Sequence, residues 1–297
     1  MSFNDDARLD SSRVRDSRGR GGKIAVGGGG ILVLLIASFL GINPAVLEEL
    51  GLGGGQTQEQ PTGPAAIDEC KTGADANARI DCRILATTAS LDAFWVPYLQ
   101  QYDEEVEQPG VELFSESVST GCGTATSAVG PFYCPADRSA YFDTGFFDDL
   151  ETRFGADGGF LAEEYVVAHE YGHHIQNHIG TLAASQQGGT GPTSGAVRVE
   201  LQADCFAGLW AAHAAETTDA AGQPLMDPFT QEDLRSALSA AEAVGDDRIQ
   251  ESATGQVNPE SWTHGSSAQR QTWFMHGYRT GDINECNTLE SNDLDQP

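Results

Sequence analysis

The sequence predicts an α+β fold that is mainly helical, contains a small sheet and is preceded by one transmembrane helix. Residues 161–179 and 197–216 place apolar side chains at helical spacing without an internal proline. Residues 111–145 mix Val, Phe and Tyr with Gly and Ser, which is typical of short strands. Residues 24–47 carry no charge, and a membrane-spanning helix needs roughly 20 such residues.

The uncharged stretch 24–47 has two interpretations. Gly27–Gly30 weaken it as a helix, and a cleaved signal peptide would also combine basic and apolar regions. A retained anchor is favoured, because no small-x-small cleavage site follows the apolar run. Arginines precede the stretch and Glu48 follows it, so the positive-inside rule predicts a cytoplasmic amino terminus and an external carboxyl-terminal part.

The composition divides the chain into five regions. The regions are a basic cytoplasmic tail at 1–23, an anchor at 24–47, a flexible Gly-, Gln- and Pro-rich linker at 48–67, a folded domain at 68–290 and a tail at 291–297.

The net charge of −28 is unevenly distributed along the 297 residues. Residues 1–23 hold six basic and four acidic side chains, which leaves 10 basic and 40 acidic ones for the remainder. Such a domain repels phosphate, so nucleic acid is excluded as a partner. The acidity itself is consistent with a saline habitat, with calcium sites or with solubility alone. Asp246 and Asp247 are interpreted as solvated surface.

Six cysteines follow the predicted anchor, and an even number on an exported side permits three disulfides. The sequence allows fifteen pairings. The short separations favour Cys70 with Cys82 and Cys122 with Cys134, which leaves Cys205 with Cys286. No CxxC is present, so a cysteine-type zinc site and a thioredoxin-like motif are both disfavoured.

Several residues predict where helices and strands begin and end. A helix from Ala74 is expected to end at Pro97, and Ser139–Asp143 is expected to form a strand. Gly180 is expected to cap the helix over 161–179. Two pairs have the spacing of capping boxes, Thr230 with Asp233 and Ser266 with Gln269.

His169, Glu170 and His173 form an HExxH motif on the predicted helix over 161–179. Residues four apart lie on one face of a helix, so both imidazoles can bind one zinc ion. Glu170 lies beside the metal, where it can take a proton from zinc-bound water and pass it to the leaving amine. An ordinary helix with two histidines is the alternative, but the motif lies mid-helix after apolar residues.

A third ligand is expected on the second helix, at Glu200. Asp204 follows four residues later, so one carboxylate can bind zinc while the other accepts a hydrogen bond from a ligating imidazole. Taken alone, an ExxxD pair is more often a solvated helix face. Here Phe206 and Trp210 share the helix and indicate packed surroundings.

The other histidines fit the metal less well. An extended HExxHxxGxxH zinc site would need a glycine at position 176 and a third histidine at position 179, but this chain has Gln176 and Ile179. His174 and His178 are rotated away from the ligand face, and His213 resembles a helix-face residue. His264 is the remaining candidate for stabilising an oxyanion, with a structural role as the alternative.

These motifs resemble the bacterial putative neutral zinc metallopeptidase family. The resemblance rests on Ala168–His174, Glu200–Gly208, Thr263–Ser266, Gly130–Pro135 and Gly245–Arg248, and it spans residues 68–288. It implies a zincin-like fold of the glutamate-ligand type, a single-pass anchor in a bacterial cell membrane, one catalytic Zn²⁺, and His169, His173 and Glu200 as its ligands.

The sequence thus predicts a zinc metallopeptidase that acts on peptides or proteins, with Glu170 as general base and acid. Two alternatives keep the same ligands: a zinc amidase that cleaves cell-wall amides, and an exported zinc-stabilised binding or scaffold module. The strand Ser139–Asp143 is expected to form a sheet edge that pairs with an extended substrate.

Overall fold

A computed structural model describes residues 2–19 and 67–297 as a mixed, helix-rich α+β fold with small sheets, as predicted. Its helices are α1 Gly73–Ala78, α2 Ile80–Gln100, α3 Gly145–Thr152, α4 Phe160–Ile179, α5 Gly195–His213, α6 Gln231–Ala243, α7 Asp246–Thr254 and α8 Ser267–Thr280. Its strands are β1 Arg15–Asp16, β2 Gly110–Phe114, β3 Ser117–Thr120, β4 Gly123–Thr126, β5 Phe132–Cys134 and β6 Ser139–Asp143.

The main sheet has the strand order β1-β2-β6-β5. Strands β1, β2 and β6 are parallel, and β5 pairs antiparallel with β6. Strands β3 and β4 form a separate hairpin. The expectation that Ser139–Asp143 is a sheet edge is therefore wrong, because β6 lies between β2 and β5 in the sheet.

Local sequence signals predict several helix ends correctly. Gly180 ends α4 in the left-handed region with φ 82°, and the two predicted capping boxes begin α6 and α8. The expected helix end at Pro97 is wrong, since α2 continues to Gln100. Pro97 has no N–H to donate to the preceding turn, and the helix ends three residues after it.

Helix α4 lies at the centre of the domain, packed against α2, α5 and α6. The contact with α5 is close at Gly172, where a Cβ atom would lie 3.1 Å from the Ala203 carbonyl oxygen. This approach brings the ligand-bearing faces of the two helices together. Helix α8 also packs against α5.

The amino-terminal residues 2–19 belong to this same core. Phe3 is 2% exposed and Val14 is 4% exposed, both within the main hydrophobic cluster. Strand β1 extends the sheet beside β2, and the Ser17 N–H donates to the Leu113 carbonyl at 2.9 Å. The folded part of the chain therefore includes this segment.

That packing corrects the predicted localisation. A single membrane crossing between residues 19 and 67 would place the amino terminus and the domain on opposite sides, yet the two are in contact. The arrangement of a cytoplasmic amino terminus and an external domain is therefore wrong. No helix within residues 2–19 or 67–297 combines the length and the apolar character that a membrane span requires. The predicted anchor at 24–47, and the linker up to residue 66, lie outside the described residues.

Three disulfides join the cysteines in the pairs that the spacing favours: Cys70–Cys82, Cys122–Cys134 and Cys205–Cys286. The third ties α5, which carries Glu200, to the carboxyl-terminal part of the chain. Leu294, in the predicted tail, is 3% exposed, and the Trp273 indole N–H donates to its carbonyl oxygen at 2.9 Å.

Candidate metal centre

Helices α4 and α5 bring the side chains of His169, His173 and Glu200 together. His169 Nε2 lies 3.1 Å from Glu200 Oε2, and His173 Nε2 lies 3.6 Å from Glu200 Oε1. One ligand atom from each residue lies within 4.8 Å of the other two. The two histidines are one helical turn apart, and Glu200 approaches from the neighbouring helix.

Asp204 orients the first imidazole. The carboxylate is fully buried, and its Oδ1 accepts a hydrogen bond from His169 Nδ1 at 2.8 Å and from the Tyr165 hydroxyl at 2.6 Å. Arg270, from α8, donates to both oxygens of this carboxylate. With its Nδ1 proton held by Asp204, His169 directs Nε2 toward Glu200.

Gln176 orients the second imidazole, that of His173. Its Oε1 accepts from His173 Nδ1 at 2.8 Å, while its Nε2 donates to the Val199 carbonyl at 2.6 Å and to Gln202 Oε1 at 3.1 Å. The amide is fully buried, so these bonds hold it in one orientation. His173 therefore also presents Nε2 to the carboxylate of Glu200.

This arrangement fits a small tetrahedral cation. Zinc–ligand bonds of about 2.0–2.1 Å place tetrahedral ligand atoms roughly 3.3 Å apart, and the measured separations of 3.1 and 3.6 Å are close to that value. The surroundings also favour positive charge. Burial by itself lowers the pKa of His173, but the Glu200 carboxylate outweighs burial and raises that pKa to about 9.

Glu170 lies beside this group and is 8% exposed. Among the described residues, none forms a hydrogen bond with its carboxylate. Burial raises the pKa of Glu170, against the opposing effect of His173 and His169. The structure thus places a buried, uncommitted carboxylate next to the three candidate ligands.

His264 approaches from the loop before α8, which Asp246 holds in place. Asp246 Oδ2 accepts from the backbone N–H groups of Thr263, His264 and Gly265 at 2.7, 2.7 and 3.0 Å. Its Oδ1 lies 3.3 Å from His264 Nδ1. Burial lowers the pKa of His264, but nearby Glu200 and Asp246 outweigh burial and raise it.

A family model described as "putative neutral zinc metallopeptidase" matches residues 2–289. The chain belongs to this family. The match includes the amino-terminal segment that packs into the core, as well as both helices that carry the candidate ligands. Membership in this family supports zinc-dependent hydrolysis as the general type of activity, and zinc as the metal.

Relatives in this family extend over most of the chain. An uncharacterized protein of Mycobacterium tuberculosis is 52% identical over 260 residues, which cover 87% of this chain and 86% of the relative. An uncharacterized protein of Escherichia coli is 37% identical over 298 residues, which cover 95% and 97%. No solved structure matches the chain significantly.

The sequence alone did not identify Arg270, Gln176 or Tyr165 as residues of the candidate metal centre. Sequence reasoning also misread Asp246, which is 7% exposed rather than solvated and holds the His264 loop. The Gly245–Arg248 motif was the available signal for Asp246. Gln176 lies three residues after His173, a spacing that permits the observed contact on a helix.

The remaining histidines lie away from the three ligands, as predicted. His174 is buried, and its ring nitrogens contact the Tyr133 hydroxyl at 3.0 Å and the Glu107 carbonyl at 2.6 Å. His178 lies 3.4 Å from Glu104. His213 stacks on Phe94.

Proposed function

We propose that this chain is a zinc-dependent peptidase of the glutamate-ligand zincin type, with His169, His173 and Glu200 as metal ligands. The observation that carries the proposal is the convergence of two Nε2 atoms and one carboxylate, each imidazole already held through Nδ1. Two imidazoles with one carboxylate are a ligand set that suits zinc and leaves a fourth position open.

Zinc, when bound there, supplies a Lewis acid that lowers the pKa of a coordinated water to about 7. Glu170 acts as the general base: its carboxylate accepts a proton from the attacking water and then donates that proton to the leaving amine. Its raised pKa supports the first step, because a more basic carboxylate takes up the proton more readily.

His264 stabilises the negative charge that develops on the carbonyl oxygen of the substrate. Its Nδ1 faces Asp246 and the Thr263 hydroxyl, so that Nε2 is the nitrogen left to donate. Within residues 2–19 and 67–297, no side chain or backbone group hydrogen bonds with this Nε2. Asp246 also fixes the loop backbone, so the ring costs little to reorganise during the reaction.

The test uses the full chain, its Glu170→Gln variant and a Glu232→Gln control, which alters an exposed glutamate at the start of α6. Metal content is measured by mass spectrometry, and cleavage is followed on a proteome-derived peptide mixture. We expect one zinc per chain in all three proteins. Loss of Glu170 should reduce cleavage by a factor on the order of 10²–10⁴.

The same assay separates the alternative functions. Zinc binding together with hydrolysis of peptidoglycan, but not of peptides, would indicate an amidase. Zinc binding without hydrolysis of either substrate would indicate a zinc-stabilised binding module. A chain that binds no zinc would overturn the assignment of His169, His173 and Glu200 as ligands.

A further inference from the structure

The amino-terminal segment reaches α4 through one buried carboxylate. Arg13 Nε donates to Asp92 Oδ2 at 2.6 Å, and its Nη2 donates to Oδ1 at 3.1 Å. The Tyr171 hydroxyl donates to the same Oδ1 at 2.9 Å. Asp92, on α2, is 8% exposed, and Tyr171 is 2% exposed. Three separate segments of the chain are joined at this carboxylate.

Tyr171 lies inside the HExxH motif, two residues from each histidine. Two residues correspond to about 200° around a helix, so its side chain leaves α4 on the side opposite to His169 and His173. His174, three residues further, anchors this back side to β5 through Tyr133. The bond to Asp92 therefore holds α4 against rotation about its axis.

Small rotations of α4 would displace the ligand atoms appreciably. An atom roughly 5–6 Å from the helix axis moves by about 1 Å when the helix rotates by about 10°. A 1 Å displacement of a reacting group can cost on the order of 100-fold in rate. The hydrogen bond from the Tyr171 hydroxyl therefore affects the positions of both imidazoles.

Arg13 fixes the orientation in which Asp92 accepts from Tyr171, because it donates to both carboxylate oxygens. A buried carboxylate that loses its cationic partner becomes an uncompensated charge, so it takes up a proton or turns toward solvent. Among the described residues, Arg13 is the one cation that forms an ion pair with Asp92. The position of α4 therefore depends on a residue from the amino-terminal segment.

We propose that Arg13 is a positioning residue for the candidate metal centre, acting through Asp92 and Tyr171. The inference rests on the proposed function, since the ligands it positions are those assigned there. It gives the amino-terminal segment a role in the chemistry of the site that goes beyond closing the hydrophobic core.

The test compares Arg13→Ala with Arg15→Ala, a matched control in the same segment. Arg15 has a 76% exposed side chain and lies 3.6 Å from Glu112. Zinc affinity is measured by competition with a chelator, and turnover is measured well below the unfolding temperature. We expect Arg13→Ala to weaken zinc binding roughly tenfold and to lower kcat more than it raises KM. Arg15→Ala should match the wild type.

Tyr171→Phe provides a second variant, since it removes one hydroxyl and keeps the buried ring. It should shift zinc affinity and kcat in the same direction as Arg13→Ala. Because both residues act through one carboxylate, the double variant should be no worse than Arg13→Ala alone. If Arg13→Ala cannot be purified folded, the same comparison is made with Arg13→Gln, which removes the charge and keeps most of the side-chain length, and the same outcomes apply.

The inference is overturned if Arg13→Ala lowers only the unfolding temperature and leaves zinc affinity and kcat equal to those of Arg15→Ala. It is also overturned if the effects of Arg13→Ala and Tyr171→Phe simply add. Wild-type protein that binds no zinc would instead overturn the proposed function and, with it, this inference. The two failures are therefore distinguishable.

Discussion

Arg270 and Asp204 form a buried bidentate ion pair directly behind His169. Arg270 Nε donates to Asp204 Oδ2 at 2.8 Å and Nη2 donates to Oδ1 at 2.9 Å, with side-chain exposures of 4% and 0%. Burial raises the pKa of Asp204, but Arg270 and His169 outweigh burial and lower it to about 2. The carboxylate therefore stays ionised and keeps the Nδ1 proton of His169.

Replacing Arg270 with methionine should weaken zinc binding by about 10–100-fold, because Asp204 would no longer be held as a charged acceptor. The free energy of unfolding should also fall by about 3–5 kcal/mol, the usual cost of leaving a buried charge unpaired. Chelator competition and urea unfolding measure the two effects. Arg279→Met, at an exposed position of the same helix, is the control. Equal zinc affinity in both variants would refute the positioning role.

His264→Ala should lower kcat by about 10²–10³, the range found for removal of one oxyanion donor, with zinc content unchanged. Asp246→Asn should have a smaller effect in the same direction, since the loop loses a charged acceptor but keeps His264. Steady-state kinetics on a cleavable peptide provide the measurement, with His276→Ala as the control. A rise in KM without a fall in kcat would assign His264 to substrate binding instead.

Glu164, on α4, should make the stability of the fold depend on pH. Burial raises its pKa to about 8, although Arg83 opposes the shift while Glu163 and Asp233 reinforce it. Neither carboxylate oxygen hydrogen bonds with a described residue. An unfolded glutamate has a pKa near 4.3, so the folded chain binds this proton more tightly. The resulting stabilisation is complete below about pH 4.3 and is lost as the pH rises to about 8.

Glu164→Gln removes this titration while keeping the side-chain shape. The wild type loses stability as the pH rises from 5 to 8, and Glu164→Gln does not. The difference in the free energy of unfolding between the two proteins should therefore change by on the order of a few kcal/mol in favour of the variant. Urea unfolding at several pH values gives the comparison, and the exposed-site variant Glu232→Gln should run parallel to the wild type. Parallel curves for Glu164→Gln would show that Glu164 titrates normally.

Two glycines permit the close packing of α5 on α8. A Cβ atom on Gly208 would lie 1.9 Å from the Phe274 carbonyl oxygen, and one on Gly277 would lie 2.0 Å from that of Cys205. Alanine at either position should therefore destabilise the fold by about 1–3 kcal/mol or more. Thermal unfolding tests this, with Gly145→Ala as a control whose Cβ would meet only Asp143 Oδ1 at 3.4 Å. Equal unfolding temperatures in all three variants would contradict it.

The sequence predicted those features of the fold and the candidate site that arise within one helix. His169 and His173 share a turn, Glu200 and Asp204 share another, and the capping boxes span four residues each. At such short separations the helical repeat alone determines which side chains are neighbours. The pairs Cys70–Cys82 and Cys122–Cys134 also followed from short separations along the chain, and Cys205–Cys286 was the pair that remained.

Contacts between distant segments could not be predicted in this way. Arg270 lies 66 residues from Asp204, and Arg13 lies 79 residues from Asp92. Helical periodicity contains no information about such pairs. The predicted topology failed for a related reason: the uncharged stretch 24–47 suggested a crossing, but Phe3 forms a β-bridge with Met226, which is far away in the sequence.

The docking of residues 2–19 also affects how this protein should be produced in recombinant form. A fragment that starts after residue 66 would lack β1 and leave the outer edge of β2 unpaired. It would also uncover the apolar surface that Phe3 and Val14 now occupy. Unpaired strand edges beside apolar surface promote aggregation. Expression should therefore include residues 2–19.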